Sequence, residues 1–286
     1  MTVTIGEDVV RYWTHGSLER AIRDGLIAMG CDLDRVQPED LAMVDEFHMG
    51  GQQATVQLAE RMTLEPGMFL LDVGSGIGGP ARFFARQYGC SVIGVDLTPE
   101  YVAVAEALTR MVNLTYRVTF RVGSATELPF EDECFDAAAL LHVGMKVSDK
   151  DTLCAEAARV LKPGGVFAVY DVMRTGEGEL TFPVAWADTR AMSCLADPPT
   201  YRQALEAAGF EVVTEADRRD LALDFFRCMT ARTAENGAPP LGILMGVEAP
   251  RKVANMIANL ERGIVAPVEM ICRRSAVTGR LSRSQH

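Results

Sequence analysis

The chain has 286 residues, 48% of them hydrophobic and 23% charged, enough to bury the core of one large α/β domain or two small ones. Its 39 acidic residues outnumber 28 basic ones, and a net charge of -11 argues against a general nucleic-acid surface, which needs Lys and Arg to neutralise phosphate. No run approaches the roughly 18 apolar residues of a membrane span, and the acidic start MTVTIGEDVVRYW does not read as a signal peptide. Seven cysteines, Cys31, Cys90, Cys134, Cys154, Cys194, Cys228 and Cys272, are odd in number and never at CxxC spacing. Reduced thiols in a cytoplasmic protein are the expectation.

Residues 7 to 64 read as helical, because VVRYW, LERAIRDGLIAMG and ATVQLAERM space their apolar residues three and four apart. Gly50 and Gly51 break this region before its last helix, and Glu65-Pro66-Gly67 turns the chain into a buried strand, MFLLDV. Strands and helices then alternate: strand 69–73, a helix from near Pro80 to Gly89, strand 91–95, and a helix after Thr98-Pro99 to about 112. Strands 117–122 and 135–141 follow. Ser148 with Asp151 predicts a capping box for helix 149–161, and Lys162-Pro163-Gly164-Gly165 leads into strand 166–171. Residues 174–198 carry Gly and Pro without a period and read as an insertion or cover loop. Helix 199–208, strand 210–216, helices 221–235 and 249–262 and a last strand at 267–273 complete the chain. Regular alternation implies a doubly wound, mostly parallel sheet with helices on both faces.

Gly74-Ser75-Gly76-Ile77-Gly78-Gly79 follows a strand and opens a helix, where backbone N–H groups can meet a ligand. It matches GxGxxG, which alone is a weak signal. Asp72, at the end of the strand, discriminates: a carboxylate there repels a pyrophosphate and suits a ligand with cationic groups. Asp96 ends the next strand, 22 positions after Gly74, where a carboxylate can accept from both hydroxyls of a ribose. The plainer alternatives are a helix N-terminal charge for Asp72 and a cap of the next helix for Asp96.

LLDVGSGIGG, GVDLTPEYVAVA, GSATELPFEDECFDAA and ARVLKPGG, spanning about 71–165, resemble the successive motifs of class I S-adenosylmethionine (SAM)-dependent methyltransferases. FHMGG, HVGMKVSDK and the segment GVEAPRKVANMIANLERGIVAPVEMICRR resemble the small-molecule branch near the ubiquinone/menaquinone C-methyltransferases and the sarcosine/dimethylglycine N-methyltransferases. The resemblance implies one domain with the Rossmann-like class I fold: seven strands, the last antiparallel, a helical cover over 1–64, a SAM-binding core over 65–173, the 174–198 insertion over the acceptor site, and the rest of the core in 199–286. It implies that Asp72, Gly74, Ser75 and Gly76 cradle the methionine end of SAM, that Asp96 holds the ribose, and that Leu97 packs on the adenine. Ser124-Ala125 stand where the family usually has Asp-Ala at the adenine amino group, and a hydroxyl is the weaker acceptor. Leu141 and His142 would face cofactor and acceptor. S-adenosylhomocysteine would be the product.

Methyl transfer needs alignment and exclusion of water rather than a metal. A nucleophile that must lose a proton gains ~100- to 10,000-fold from a general base. His142, at the C-terminal end of a central strand, is the first candidate base, or a histidine that only hydrogen-bonds ligand or backbone. His48 in FHMGG is a weaker one. His15 and His286 have no supporting context, and four dispersed histidines without ligand spacing argue against zinc. Tyr12, Trp13, Phe182 and Trp186, with Met145, Met173 and Met192, could line an acceptor pocket or simply pack. Arg174 and Arg190 could bind an anion, or be solvated. The expected reaction is N-methylation of an amine or amino acid, with C- or O-methylation of a secondary metabolite or quinone-like acceptor as the alternative. A nicotinamide-dependent oxidoreductase and a SAM-binding scaffold without turnover are the other classes. Asp72 and the LPF and LKPGG segments oppose the nicotinamide reading, and no NPPY-like tetrad supports nucleic-acid methylation. The partner is a small molecule, not nucleic acid or membrane. Oligomeric state is open, with a homodimer among the options.

Overall fold

A computed structural model describes residues 10–14, 16–236 and 245–276. His15 and His286, residues 7–9 of the expected first helix, and the polar end of the chain lie outside them. After a short helical turn at 10–13 come α1 (Leu18–Ala28), α2 (Pro38–Asp45) and α3 (Gly51–Met62). The sheet and its helices follow as β1 (Phe69–Val73), α4 (Gly79–Tyr88), β2 (Ser91–Asp96), α5 (Pro99–Met111), β3 (Val118–Val122), β4 (Phe135–Leu141) and α6 (Lys150–Val160). The chain continues through β5 (Leu161–Arg174), α7 (Pro198–Ala207), β6 (Phe210–Asp217), α8 (Arg219–Asn236), α9 (Ala249–Glu261) and β7 (Val265–Arg274).

The seven strands lie in the order β3-β2-β1-β4-β5-β7-β6. All pairs are parallel except those of β7, which runs antiparallel to both β5 and β6. The central strands β1 and β4 are apolar apart from Asp72 and Asp136, as strands covered on both faces tend to be. One core layer joins β1 and β2 to α3, α4, α5 and the cover, through Leu58, Phe84, Leu108, Ile22 and Leu41. The opposite layer joins the sheet to α6 and α7 through Leu153, Ala157, Tyr201 and Leu205. The winding direction reverses between β1 and β4, so the crevice beyond their C-terminal ends is where such sheets bind ligands.

Three local differences from the sequence reading have physical causes. The expected long helical region is interrupted over 31–37, and α2 restarts it with Pro38 in its first turn and a capping box in which Gln37 and Asp40 answer each other. Helix α6 starts one residue late for a Ser148/Asp151 box: its N-cap is Asp149, whose carboxylate accepts from the Thr152 N–H at 2.9 Å. Strand β5 extends from 161 to 174, because Leu161 pairs with Phe135 of β4 and β7 pairs along 166–174.

Candidate active site

The β1–α4 turn needs glycine for reasons of space and conformation. Gly74, Gly76 and Gly78 have φ of 71°, 53° and 88°. A Cβ on Gly74 would collide with Val143 beyond β4, and one on Gly79 with the Asp45 carbonyl of the cover. The N–H groups of Gly74 and Ser75 donate to Val95 O at 2.7 and 2.9 Å, fastening the turn to β2. Asp96 is held from both sides: its Oδ2 accepts from the Gly76 N–H at 3.0 Å and its Oδ1 from the Thr98 N–H at 2.8 Å.

This turn forms one wall of a cavity of about 410 Å³. Asp72, Gly74, Ser75, Gly76, Asp96, Leu97, Ser124, Ala125, Leu141 and His142 all line it. Asp72 Oδ2 and Ser75 Oγ are buried there with no hydrogen-bond partner. Burial, reinforced by the Asp96 charge, pushes the Asp72 carboxyl up to about 7. Ser124 Oγ pairs with the Thr126 hydroxyl at 2.8 Å and accepts from its N–H at 3.2 Å.

Beyond β4 the chain turns sharply, and His142 adopts the left-handed region at φ 56°. Its ring stacks on Tyr170, centroids 5.2 Å apart. The Met49 N–H donates to Nε2 at 3.3 Å, and Nδ1 lies 3.3 Å from Tyr170 O, so the network assigns the proton to Nδ1. Tyr170 OH donates back to Met49 O at 2.8 Å. Burial, with His48 and Lys146 nearby, holds the His142 imidazole well below its ordinary value. A ring so engaged organises the wall, and it is a poor proton acceptor as it stands. His48 sits beside it, hydrogen-bonded to Thr55 Oγ1 at 3.1 Å, and that hydroxyl donates to Glu46 Oε2 at 2.7 Å. Burial drives His48 down to about 4 and, with Asp45, Glu46 up to about 8.

A second, apolar chamber of about 50 Å³ shares Trp13, Phe47, His48, His142 and Lys146 with the first cavity. Met49, Met145, Ala185, Trp186, Phe225, Phe226, Met229, Met245 and Met256 complete its walls. Trp186 is fixed by its Nε1–H, which donates to Ser193 Oγ at 3.0 Å. The cover, the turn after β4, the 174–198 segment, α8 and α9 therefore converge on one spot.

Four expected pocket residues, Tyr12, Met173, Phe182 and Met192, do not line the chamber. Met173 is fully buried in the layer on the other side of the sheet with α6 and α7, because strand alternation sends Val172 toward the chamber and Met173 away. Tyr12 lines neither cavity: its hydroxyl meets Asp188 at 3.3 Å and receives a bond from Lys252 Nζ at 2.6 Å. Phe182 and Met192 pack at the edge of the chamber's core, and Arg174 donates to Gly178 O at 2.9 Å in its own loop. Arg190 is exposed.

Sequence reasoning passed over three features. Lys146 stands in the shared wall, its Nζ 3.8 Å from the Trp13 ring centroid. Arg82, almost fully buried, bonds Asp45 Oδ2 and Ile77 O at 2.7 Å, Thr109 Oγ1 at 2.9 Å and Ala105 O at 3.2 Å. Phe225 and Phe226 on α8 close the chamber. The only signal for the first two was a charged residue inside an otherwise apolar helical face or turn.

Parallel strands wound about β1 and β4, an antiparallel β7 between β5 and β6, and a glycine turn preceded by an acid define the class I methyltransferase fold. Residues 71–169 match the family described as "Methyltransferase domain". It is 35% identical over 137 residues to Methyltransferase GfsG of Streptomyces halstedii, covering 48% of this chain and 49% of that protein. The chain spans about half, or less, of the length of the curated relatives it matches. Its fold is similar to that of the cyclase SpnF, with a TM-score of 0.69, 23% identity and 96% and 98% of the two chains covered. It is also similar to geranyl diphosphate C-methyltransferase from Streptomyces coelicolor A3(2), with a TM-score of 0.69, 20% identity and again 96% and 98% covered. That likeness concerns fold, and a cyclase on the same scaffold is a reminder that fold does not name a reaction.

Proposed function

We propose that the protein transfers a methyl group from SAM to a small acceptor seated in the apolar chamber. The observation that carries this reading is the pair of buried, unpartnered oxygens, Asp72 Oδ2 and Ser75 Oγ, beside the glycine turn. A buried carboxylate without a cation costs free energy. A ligand carrying an ammonium and a sulfonium satisfies it, whereas a dinucleotide pyrophosphate would be repelled. In this reading Asp72, Gly74, Ser75 and Gly76 hold the methionine end. Asp96, already oriented by two backbone N–H groups, accepts from the ribose hydroxyls. Leu97, Ser124 and Ala125 border the adenine. Bound SAM supplies a methyl carbon activated by positive sulfur. The chain's part is to align the acceptor and exclude water, and the Trp13, Phe47 and Met145 walls serve both.

Among its described residues the chamber carries no carboxylate. That favours an oxygen or carbon nucleophile over the amine that the sequence alone preferred. All seven cysteines are free, and no helix among the described residues is long and apolar enough to cross a membrane. The cytoplasm is the compartment we propose. Thermal shift with SAM, S-adenosylhomocysteine, NAD and NADP tests the cofactor, since a ligand bound only by the folded state raises its melting temperature. Stabilisation by SAM and by S-adenosylhomocysteine is expected. Stabilisation by NAD alone would refute the reading. Isotope-labelled SAM with a metabolite panel then identifies the acceptor.

A further inference from the structure

Lys146 lies on the short 3-10 turn Gly144–Lys146 that follows β4. The turn is held tightly. A Cβ on Gly144 would run into the Tyr201 hydroxyl and the Asp171 carboxylate, the Lys146 N–H donates to Val143 O at 3.0 Å, and the Cys194 N–H donates to Met145 O at 2.8 Å. Lys146 is thereby directed into the wall common to both cavities. Among the described residues its Nζ has no hydrogen-bond or ion-pair partner, and its close neighbour is the face of Trp13. A lysine in this position has a use only when something occupies the junction.

We infer that Lys146 Nζ meets the nucleophile of the acceptor, that this nucleophile is the hydroxyl of an acidic oxygen compound, a phenol or enol, and that Lys146 takes its proton as the methyl group arrives. The inference rests on the methyltransferase reading above. The hydroxyl oxygen forms the new O–CH3 bond, the methyl–sulfur bond breaks with its electron pair left on sulfur, and the O–H proton ends on Nζ. The products are a methyl ether, a neutral thioether and a lysine ammonium.

Several groups face Lys146. Asp96 from the end of β2 and Asp171 from β5 favour its ammonium form, while the imidazoles of His142 and His48 share its wall. Burial outweighs the two carboxylates and brings the lysine down to about 8. Lys146 loses its proton more readily still once a sulfonium shares the crevice, because like charges disfavour each other. The free amine is then available near neutral pH, where a general base works best. A protonated amine as acceptor would meet this lysine, the sulfonium and no carboxylate in the chamber.

The test uses the full chain saturated with S-adenosylhomocysteine and 4-nitrophenol as probe, whose absorbance reports its ionisation. Bound probe is expected to ionise about one pH unit below free probe, corresponding to roughly tenfold tighter binding of phenolate than of phenol. Benzylammonium should bind more weakly than the phenolate. Lys146→Met should abolish the shift while leaving the melting temperature and S-adenosylhomocysteine affinity as they were. Lys146→Arg should keep the shift, through its charge, yet slow methylation of any phenol turned over by about 100-fold, because guanidinium cannot accept the proton. An unshifted probe in the unmodified chain, a shift that survives in Lys146→Met, or tighter binding of benzylammonium would each overturn the inference. If the unmodified chain fails to bind S-adenosylhomocysteine, the cofactor reading falls and this inference falls with it.

Discussion

The crevice at the glycine turn and the apolar chamber share a wall but are made differently. The crevice is built of backbone: strand ends, a glycine turn bonded to Val95 O, and a carboxylate fixed by two N–H groups. The chamber is built of side chains, Trp13, Trp186, Phe225, Phe226 and five methionines, contributed by segments far apart in the chain. Backbone geometry tolerates few alternatives, so such a site persists while its surroundings vary. Methionine and aromatic walls can be repacked at small cost. One scaffold can thus keep the crevice and change the chamber.

The largest expected effect would strike both cavities together. Arg82 ties α2, the glycine turn and α5 into one unit. Arg82→Met leaves Asp45 buried without its counter-charge, a change that costs about 3–5 kcal/mol. Urea unfolding should register a loss of that order, with cofactor affinity falling in parallel. A loss below about 1 kcal/mol would show that the two regions are not clamped as described.

Next comes a substitution pair that should separate the cavities. Asp72→Asn removes the charge facing the methionine end and should weaken S-adenosylhomocysteine roughly 100-fold in calorimetry, within the 2–5 kcal/mol typical of breaking a buried charge pair. Phe225→Ala, in the chamber wall, should leave that affinity nearly unchanged, because sites without shared partners act independently. Equal effects from the two would erase the distinction between backbone-built and side-chain-built halves.

The smallest effect is one of pH. Asp72 holds its proton up to about pH 7 in the unliganded fold, and a cationic ligand needs the carboxylate. Affinity for S-adenosylhomocysteine should therefore decline by up to tenfold per unit as pH falls below about 7. Stability of the unliganded chain runs the other way. Asp72 and Glu46 have folded values raised above their ordinary ones, to about 7 and about 8, so their contribution is present at low pH and lost as pH rises through that window. Melting curves at several pH values with and without ligand should converge at acid pH and diverge above neutrality. Phe225→Ala should behave as the unmodified chain in both.

The sequence was most legible where structure is local. The run LLDV, the glycines after it and Asp96 announce strand, turn and next strand from local sequence, and Asp72, Gly74, Gly76 and Asp96 line the crevice. Met173 failed on parity: one step along β5 changes the face. The Arg82–Asp45 pair spans 37 positions, and Lys146 acquires its setting from Trp13, far earlier in the chain, so neither could be read from neighbours. The separate start of helix α2 was missed, although Gln37-Pro38-Glu39-Asp40 combines a cap, a first-turn proline and acids at an N-terminus.

The Asp45–Arg82 clamp also bears on where this protein can be cut. The match to the methyltransferase-domain family covers 71–169, yet Gly79 presses against the Asp45 carbonyl and Arg82 is anchored upstream of that span. The matched stretch is thus not mechanically self-sufficient. A fragment trimmed to it would retain each recognisable motif while losing the brace that keeps the turn in shape.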